Sequence, residues 1–166
     1  PRRVGVIGLG AGTIAAYAEP KETFRFYDIN PQVITYAERI FSYLDDARNR
    51  GASIEVVEGD ARLALESEPP QNFDVLVLDA FNSDAIPAHL LTLEAFELYL
   101  RHLQDPNGVI AVHISSDHLE LTPVVRAAAE HFNLDGIVLE SVPDGTPTTA
   151  ACVWVLLGRG AGRLSG

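Results

Sequence analysis

The sequence predicts an α/β fold: a seven-stranded, mostly parallel sheet with helices on both faces and an antiparallel last strand. Three observations carry this reading. Apolar, β-branched runs alternate with helix-period segments through five strand-then-helix units, the pattern of parallel strands joined by right-handed crossovers. The fourth run, Val75–Leu78, is apolar at every position, as a strand buried on both faces must be. The connection before the last strand, Val142–Ala150, holds Pro143, Gly145 and Pro147. A parallel crossover needs about a dozen residues or more, usually helical, so this segment returns the chain antiparallel.

In chain order, Val4–Gly8 reads as a strand, Gly12–Ala18 as a short helix and Thr23–Asp28 as the second strand. Asn30-Pro31 opens a helix, with proline at the first position, where no amide hydrogen is missed. Val33, Ile34, Ala37, Ile40, Phe41 and Leu44 continue it at i, i+3, i+4, i+7 spacing. Ser53–Glu58 is the third strand and Ala61 to about Glu66 a short helix, before the turn Pro69-Pro70-Gln71-Asn72. Phe73–Leu78 is the fourth strand, Asn82–Pro87 a loop, Leu91–Leu103 a helix ended by Pro106-Asn107-Gly108, and Val109–Ile114 the fifth strand. Glu120–Phe132 is helical, Leu134–Ser141 is the sixth strand and Ala151–Leu157 the seventh. Residues 1–158 then form one domain, and the Gly-rich stretch 159–166, which has no periodicity, a fraying tail.

Composition narrows the partners. The 166 residues carry 23 acidic and 12 basic side chains, a formal charge of -11. Such a surface repels phosphates and anionic lipid heads and favours cationic ligands in acidic clefts, so nucleic acid is not an expected partner. No apolar run approaches the ~18 residues of a membrane span. The single cysteine, Cys152, excludes an internal disulfide and reads as a buried, inert thiol; Trp154 reads as packing. The chain holds no methionine and runs from Pro1-Arg2-Arg3 straight into an apolar strand that Gly8-Leu9-Gly10 interrupts. No signal peptide fits there, and a piece of a longer protein is expected. None of the five histidines stands at a metal-ligand spacing with a second ligand.

In open α/β sheets ligands bind beyond the carboxyl ends of the strands, so the residues just after each strand are the informative ones. After the first comes Gly8-Leu9-Gly10-Ala11-Gly12-Thr13, where Gly8, Gly10 and Gly12 allow a tight turn and close approach of backbone to ligand. The third glycine falls one residue early for a dinucleotide fingerprint. Asp28 closes the second strand, twenty residues after Gly8; it is placed to accept both ribose hydroxyl hydrogens or to precede the helix at Asn30. Gly59-Asp60 follows the third strand, with Ala61 beside it; Asp60 either caps the next helix or accepts an adenine amino hydrogen. Asp79 follows the fourth strand and opens Ala80-Phe81-Asn82-Ser83-Asp84, and His113 ends the fifth near the same cleft as a substrate-facing candidate. Glycine or aspartate at four strand ends together points to a nucleoside. Ser115-Ser116-Asp117 lacks the strand-serine-helix elbow of a hydrolase.

With these residues the sequence resembles the spermidine synthase-like group, the polyamine aminopropyltransferases, of the class I S-adenosylmethionine-dependent methyltransferase superfamily. The likeness lies in Gly8–Gly12, Tyr27-Asp28-Ile29-Asn30-Pro31, Gly59-Asp60 and Asp74–Asp79, and runs from about Val4 to Phe132. Asp79-Ala80-Phe81-Asn82-Ser83-Asp84-Ala85-Ile86-Pro87-Ala88 looks like the group's Asp-Ser-Ser-Asp-Pro…Pro-Ala segment with one extra residue. The resemblance implies a Rossmann-like class I methyltransferase fold. It implies S-adenosylmethionine or its decarboxylated form as co-substrate, no metal, and aminopropyl transfer to a small-molecule amine such as putrescine. Asp79 is then the candidate general base, Asp84 a candidate amine-binding carboxylate, and Gly8, Gly10, Gly12, Asp28, Asp60 and Ala61 the nucleoside site. The likeness is strongest to bacterial members in which such a domain follows a multi-spanning membrane segment, so a cytoplasmic location, or the cytoplasmic face of a membrane, is expected; a homodimer is compatible with the group.

The departures sit on the amine side. Ala11 stands where the group usually has aspartate, its Asp-Ser-Ser-Asp run is loosened to Asp79…Asp84, and its N-terminal β-hairpin domain, part of the amine pocket, is absent from this chain. Low activity of the 166 residues alone is therefore expected. Two other readings stay open: methyl transfer at the same nucleoside site, and a non-catalytic nucleoside-binding domain of a larger membrane protein.

Overall fold

The computed structural model describes residues 1–81, 86–116, 119–141 and 151–160. Seven strands among them form one sheet: β1 (Arg3–Ile7), β2 (Thr23–Asp28), β3 (Ser53–Glu58), β4 (Val75–Leu78), β5 (Val109–His113), β6 (Asp135–Ser141) and β7 (Cys152–Gly158). Their order is β3-β2-β1-β4-β5-β7-β6. The first five pair in parallel, and β7 lies antiparallel to both β5 and β6. Only β7 is reversed, as the short return before it demands. That return, residues 142–150, and the tail 161–166 lie outside the described residues.

Helices cover the two faces. On one, α3 (Ala61–Ser67), α4 (Leu93–His102) and α5 (Thr122–His131) bury Leu65, Phe96, Tyr99 and Val125 against Ile7, Leu76, Leu78, Ile110 and Val112. On the other, α1 (Pro31–Arg39) and α2 (Tyr43–Asn49) bury Ala37, Leu44 and Ala47 against Val4, Val6, Phe24 and Phe26. The alternation of Leu76 and Leu78 to one cluster and Val77 to the other is the period of two that a strand buried on both faces requires. Local chemistry sets the helix starts. The Asn30 side chain accepts from the Gln32 amide before Pro31, and the Asp60 and Thr92 side chains cap α3 and α4.

Three local expectations are corrected. The helix opened by Asn30-Pro31 does not run to Leu44. It stops at Arg39, leaves Ile40 and Phe41 exposed, and restarts at Tyr43. The restart re-aims the chain so that Leu44, fully buried, packs within 2.9 Å of where a Cβ on Gly12 would stand. Arg50, just after α2, donates to the carbonyls of Ala15, Ala16 and Ala18 and so ties the two segments together. The expected helix after the glycine loop is a five-residue 3-10 turn, Thr13–Tyr17, too short to present a helical N-terminus to a ligand. Cys152 is half-buried, with Sγ 2.9 Å from Ser141 Oγ across the β6–β7 pair, because β7 begins at the rim of the sheet. No helix among the described residues is long and apolar enough to cross a membrane.

Candidate functional site

Between β1 and β4 the strand order reverses: from β1 the chain proceeds outward to β2 and β3, then returns to β4 on the other side. Crossovers on opposite faces leave a crevice beyond the carboxyl ends at such a point. A cleft of about 690 Å³ lies there, lined by residues that follow β1, β2, β3 and β4.

Gly8 is in the left-handed region at φ +98°, and a Cβ on it would stand 2.4 Å from the Asp79 carbonyl oxygen. Only glycine lets the ends of β1 and β4 approach so closely. Gly10, at φ +53°, lines the cleft and has nothing within 4 Å of where a Cβ would be, so its bare backbone leaves room for a ligand. Gly12 is not among the lining residues; its missing side chain makes space for Leu44. Two of the three glycines thus meet at the cleft, and the third serves packing.

Asp28 is held before any ligand arrives. Its Oδ2 accepts from the Leu9 amide and its Oδ1 from the Asn30 amide, each at 2.9 Å. A carboxylate offers about four acceptor sites, so two remain for hydroxyl donors. Asp60 caps α3, its Oδ1 accepting from the Leu63 amide, and its Oδ2 lies 3.1 Å from His89 Nε2. His89, in the 3-10 turn Ala88–Leu90, lines the cleft with Asp60 and Ala61. Sequence reasoning gave His89 no role; twenty-nine residues separate it from Asp60, and no local spacing signals the pair. Arg62 fixes that turn by donating to the His89 carbonyl at 3.0 Å. Beneath the cleft, Tyr27 is buried and donates to Glu68; burial pushes its phenol above the ordinary range, so it stays neutral.

Asp79 is anchored by its amide, which donates to the Ile7 carbonyl at 2.8 Å. Its Oδ1 lies 2.7 Å from His113 Nδ1. The other ring nitrogen, Nε2, lies 2.8 Å from Ser115 Oγ, which accepts from the Val153 amide at 2.8 Å. Trp154 stacks on the imidazole at 4.4 Å between centroids and 7° between planes, and Phe81 meets it edge-on at 4.8 Å and 72°. Trp154 thus packs, as expected, and this imidazole is one of the groups it packs against. The row Asp79–His113–Ser115 has the spacings of a nucleophilic triad, but Ser115 leaves β5 into an irregular segment and its oxygen is tied to β7. It is a bracing hydroxyl, in line with the missing elbow. Asp84 lies outside the described residues.

No family model matches the chain. A polyamine aminopropyltransferase of Vibrio vulnificus is 35% identical over 121 residues, covering 70% of this chain and 38% of that protein. An N-terminal histidine N-methyltransferase of Emericella nidulans is 32% identical over 114 residues, covering 68% of this chain and 20% of that one. The chain thus spans well under half the length of these relatives. A crystal structure of spermidine synthase in complex with the transition-state analogue AdoDATO superposes with a TM-score of 0.72 at 16% identity, over 96% of this chain and 55% of the other. At that identity the superposition establishes the fold.

Proposed function

The chain matches the spermidine synthase-like group of the class I S-adenosylmethionine-dependent superfamily in sequence and shares its fold, and from that premise we propose that it is a transferase domain that moves an aminopropyl group from decarboxylated S-adenosylmethionine to an amine. One observation carries the proposal: a ribose-type carboxylate, Asp28, and a second carboxylate, Asp79, follow strands on opposite sides of the reversal point and face one cleft of about 690 Å³. Asp28, already aligned by two amides, keeps acceptor sites for the ribose hydroxyls. Gly10 leaves the space against which the nucleoside lies, and Asp60 with Ala61 borders the adenine.

Alkyl transfer asks little covalent chemistry of the protein. The lone pair of a neutral amine attacks the carbon beside the sulfonium; the new N–C bond forms as the C–S bond breaks, and the thioether leaves uncharged. The protein must align the partners and take the proton that the amine nitrogen sheds. A primary ammonium has a pKa of ~10, so a carboxylate that receives or orients this proton aids the reaction. Asp79 is that base, rigid at the end of a buried strand, and Asp84 is the carboxylate that captures the amine. The surplus of acidic side chains draws a polycation toward the cleft.

The second reading is methyl transfer, favoured by the Emericella nidulans relative. Calorimetric titration with S-adenosylmethionine and with its decarboxylated form tests the nucleoside site. The mass of the product formed with putrescine then separates an added aminopropyl group from an added methyl. Binding of neither nucleoside would overturn both readings; binding without turnover in the intact protein would leave only a non-catalytic nucleoside domain.

A further inference from the structure

We propose that His113 is a positioning residue: its Nδ1–H holds Asp79 in one orientation, and a chain running from the Val153 amide through the Ser115 hydroxyl dictates which ring nitrogen carries the proton. The proposal rests on the reading of Asp79 as the base.

The arrangement follows from strand register. Leu78 pairs with Val112, so Asp79 and His113 emerge side by side from β4 and β5, and His113 pairs with Trp154 on β7. The ends of β4 and β5 and the facing part of β7 thus meet in a single cluster.

The donors and acceptors admit one neutral arrangement. A backbone amide can only donate, so Ser115 Oγ accepts from Val153. An ionised carboxylate can only accept, so Nδ1, at 2.7 Å from Asp79 Oδ1, carries a hydrogen. In a neutral ring Nε2 is then bare and accepts the one hydroxyl hydrogen of Ser115, at 2.8 Å. The opposite tautomer would set a nitrogen lone pair against a carboxylate oxygen at hydrogen-bond distance, which is repulsive. Trp154 and Phe81 hold the ring plane, in which both ring nitrogens meet their partners. Among the described residues Asp79 Oδ2 has no hydrogen-bond partner, which leaves this oxygen for the amine proton. His113 thereby serves the base instead of the acceptor, and it explains why the reversed strand β7 matters to a site on β4.

Nitrogen-15 and proton NMR of the histidine rings tests the tautomer in the 166-residue chain without any ligand. The expected result at neutral pH is His113 protonated at Nδ1 and bare at Nε2, with Asp79→Asn releasing that preference. A ring protonated at Nε2 alone, at both nitrogens, or in rapid exchange between tautomers would overturn the proposal. Single-turnover rates supply the second arm. His113→Phe keeps the stacking and loses both polar atoms; a charge-assisted hydrogen bond sets the scale of the expected loss at about 10- to 100-fold in rate, with nucleoside affinity unchanged. His113→Asn restores a donor near the Nδ1 position and should recover most of the rate, whereas His113→Gln, whose amide reaches toward the Nε2 position, should not. A full-rate Asp79→Asn would sink the base reading and leave the tautomer result standing. A slow Asp79→Asn beside a full-rate His113→Phe would sink the positioning role alone.

Discussion

The two halves of the cleft are built in different ways. The half beyond β1 and β2 is made of backbone and near neighbours: Gly8 and Gly10 in a turn, and a carboxylate whose partners are the Leu9 and Asn30 amides. The half beyond β4, β5 and β7 is made of side chains that meet only through the sheet. Asp79, His113, Ser115, Val153 and Trp154 span seventy-six residues of chain, yet form one bonded and stacked row. The half proposed to take the nucleoside is specified by loops that carry their own geometry, whereas the half proposed to take the acceptor is specified by register. A change to one half should therefore leave the other standing.

The largest break comes from Asp28→Ala. Two charge-assisted hydrogen bonds of ~1.5–3 kcal/mol each disappear, so nucleoside affinity should fall by two orders of magnitude or more. The Leu9 and Asn30 amides also lose their acceptor, so the melting temperature should drop. Unchanged affinity by calorimetry would rule out the ribose role.

Asp79→Asn comes next and strikes only the other half. The expectation is a loss of about 100-fold or more in turnover, with nucleoside affinity little changed. If Asp79 merely braces the β4 end, the variant would instead lose thermal stability at full rate.

His89→Ala probes the border of the nucleoside half. The His89–Asp60 contact is half exposed, and a single hydrogen bond in such a place contributes about 0.5–1.5 kcal/mol. Affinity for the nucleoside should weaken by about 2- to 10-fold, with the rate at saturation kept. A loss as large as that of Asp28→Ala would show that His89 contacts the ligand directly.

The smallest effect on the cleft is expected from His102, which is fully buried in α4; neither ring nitrogen has a hydrogen-bond partner among the described residues. Burial, then the nearby Arg101 charge, holds its pKa below the ordinary histidine value. Below about pH 6.5 the unfolded chain takes up a proton that the folded chain refuses. The contribution to stability is thus full above that pH and is lost as pH falls toward the lowered folded value. His102→Leu should flatten the fall in melting temperature on acidification while leaving nucleoside affinity at neutral pH alone. An unchanged pH profile would show that this ring does not set it.

The same contrast explains what was legible in the chain. The parallel order of the early strands, the reversal of β7, and the places of Gly8, Gly10, Asp28, Asp60 and Asp79 at strand ends follow from hydrophobic period, turn residues and connection length. Those are local quantities, and a linear sequence displays them. The break after Arg39 was hidden because a 3.6-residue period cannot record that Ile40 and Phe41 are turned outward so that Leu44 reaches Gly12. The packing role of Gly12 was hidden for the same reason. The pairing of His89 with Asp60, and of His113 with Asp79, Ser115 and Trp154, was decided by which strands lie side by side and in what register. Residues 29 and 34 apart in the chain come within about 3 Å because sheet hydrogen bonds place their strands or loops together, and no spacing along the chain encodes that distance.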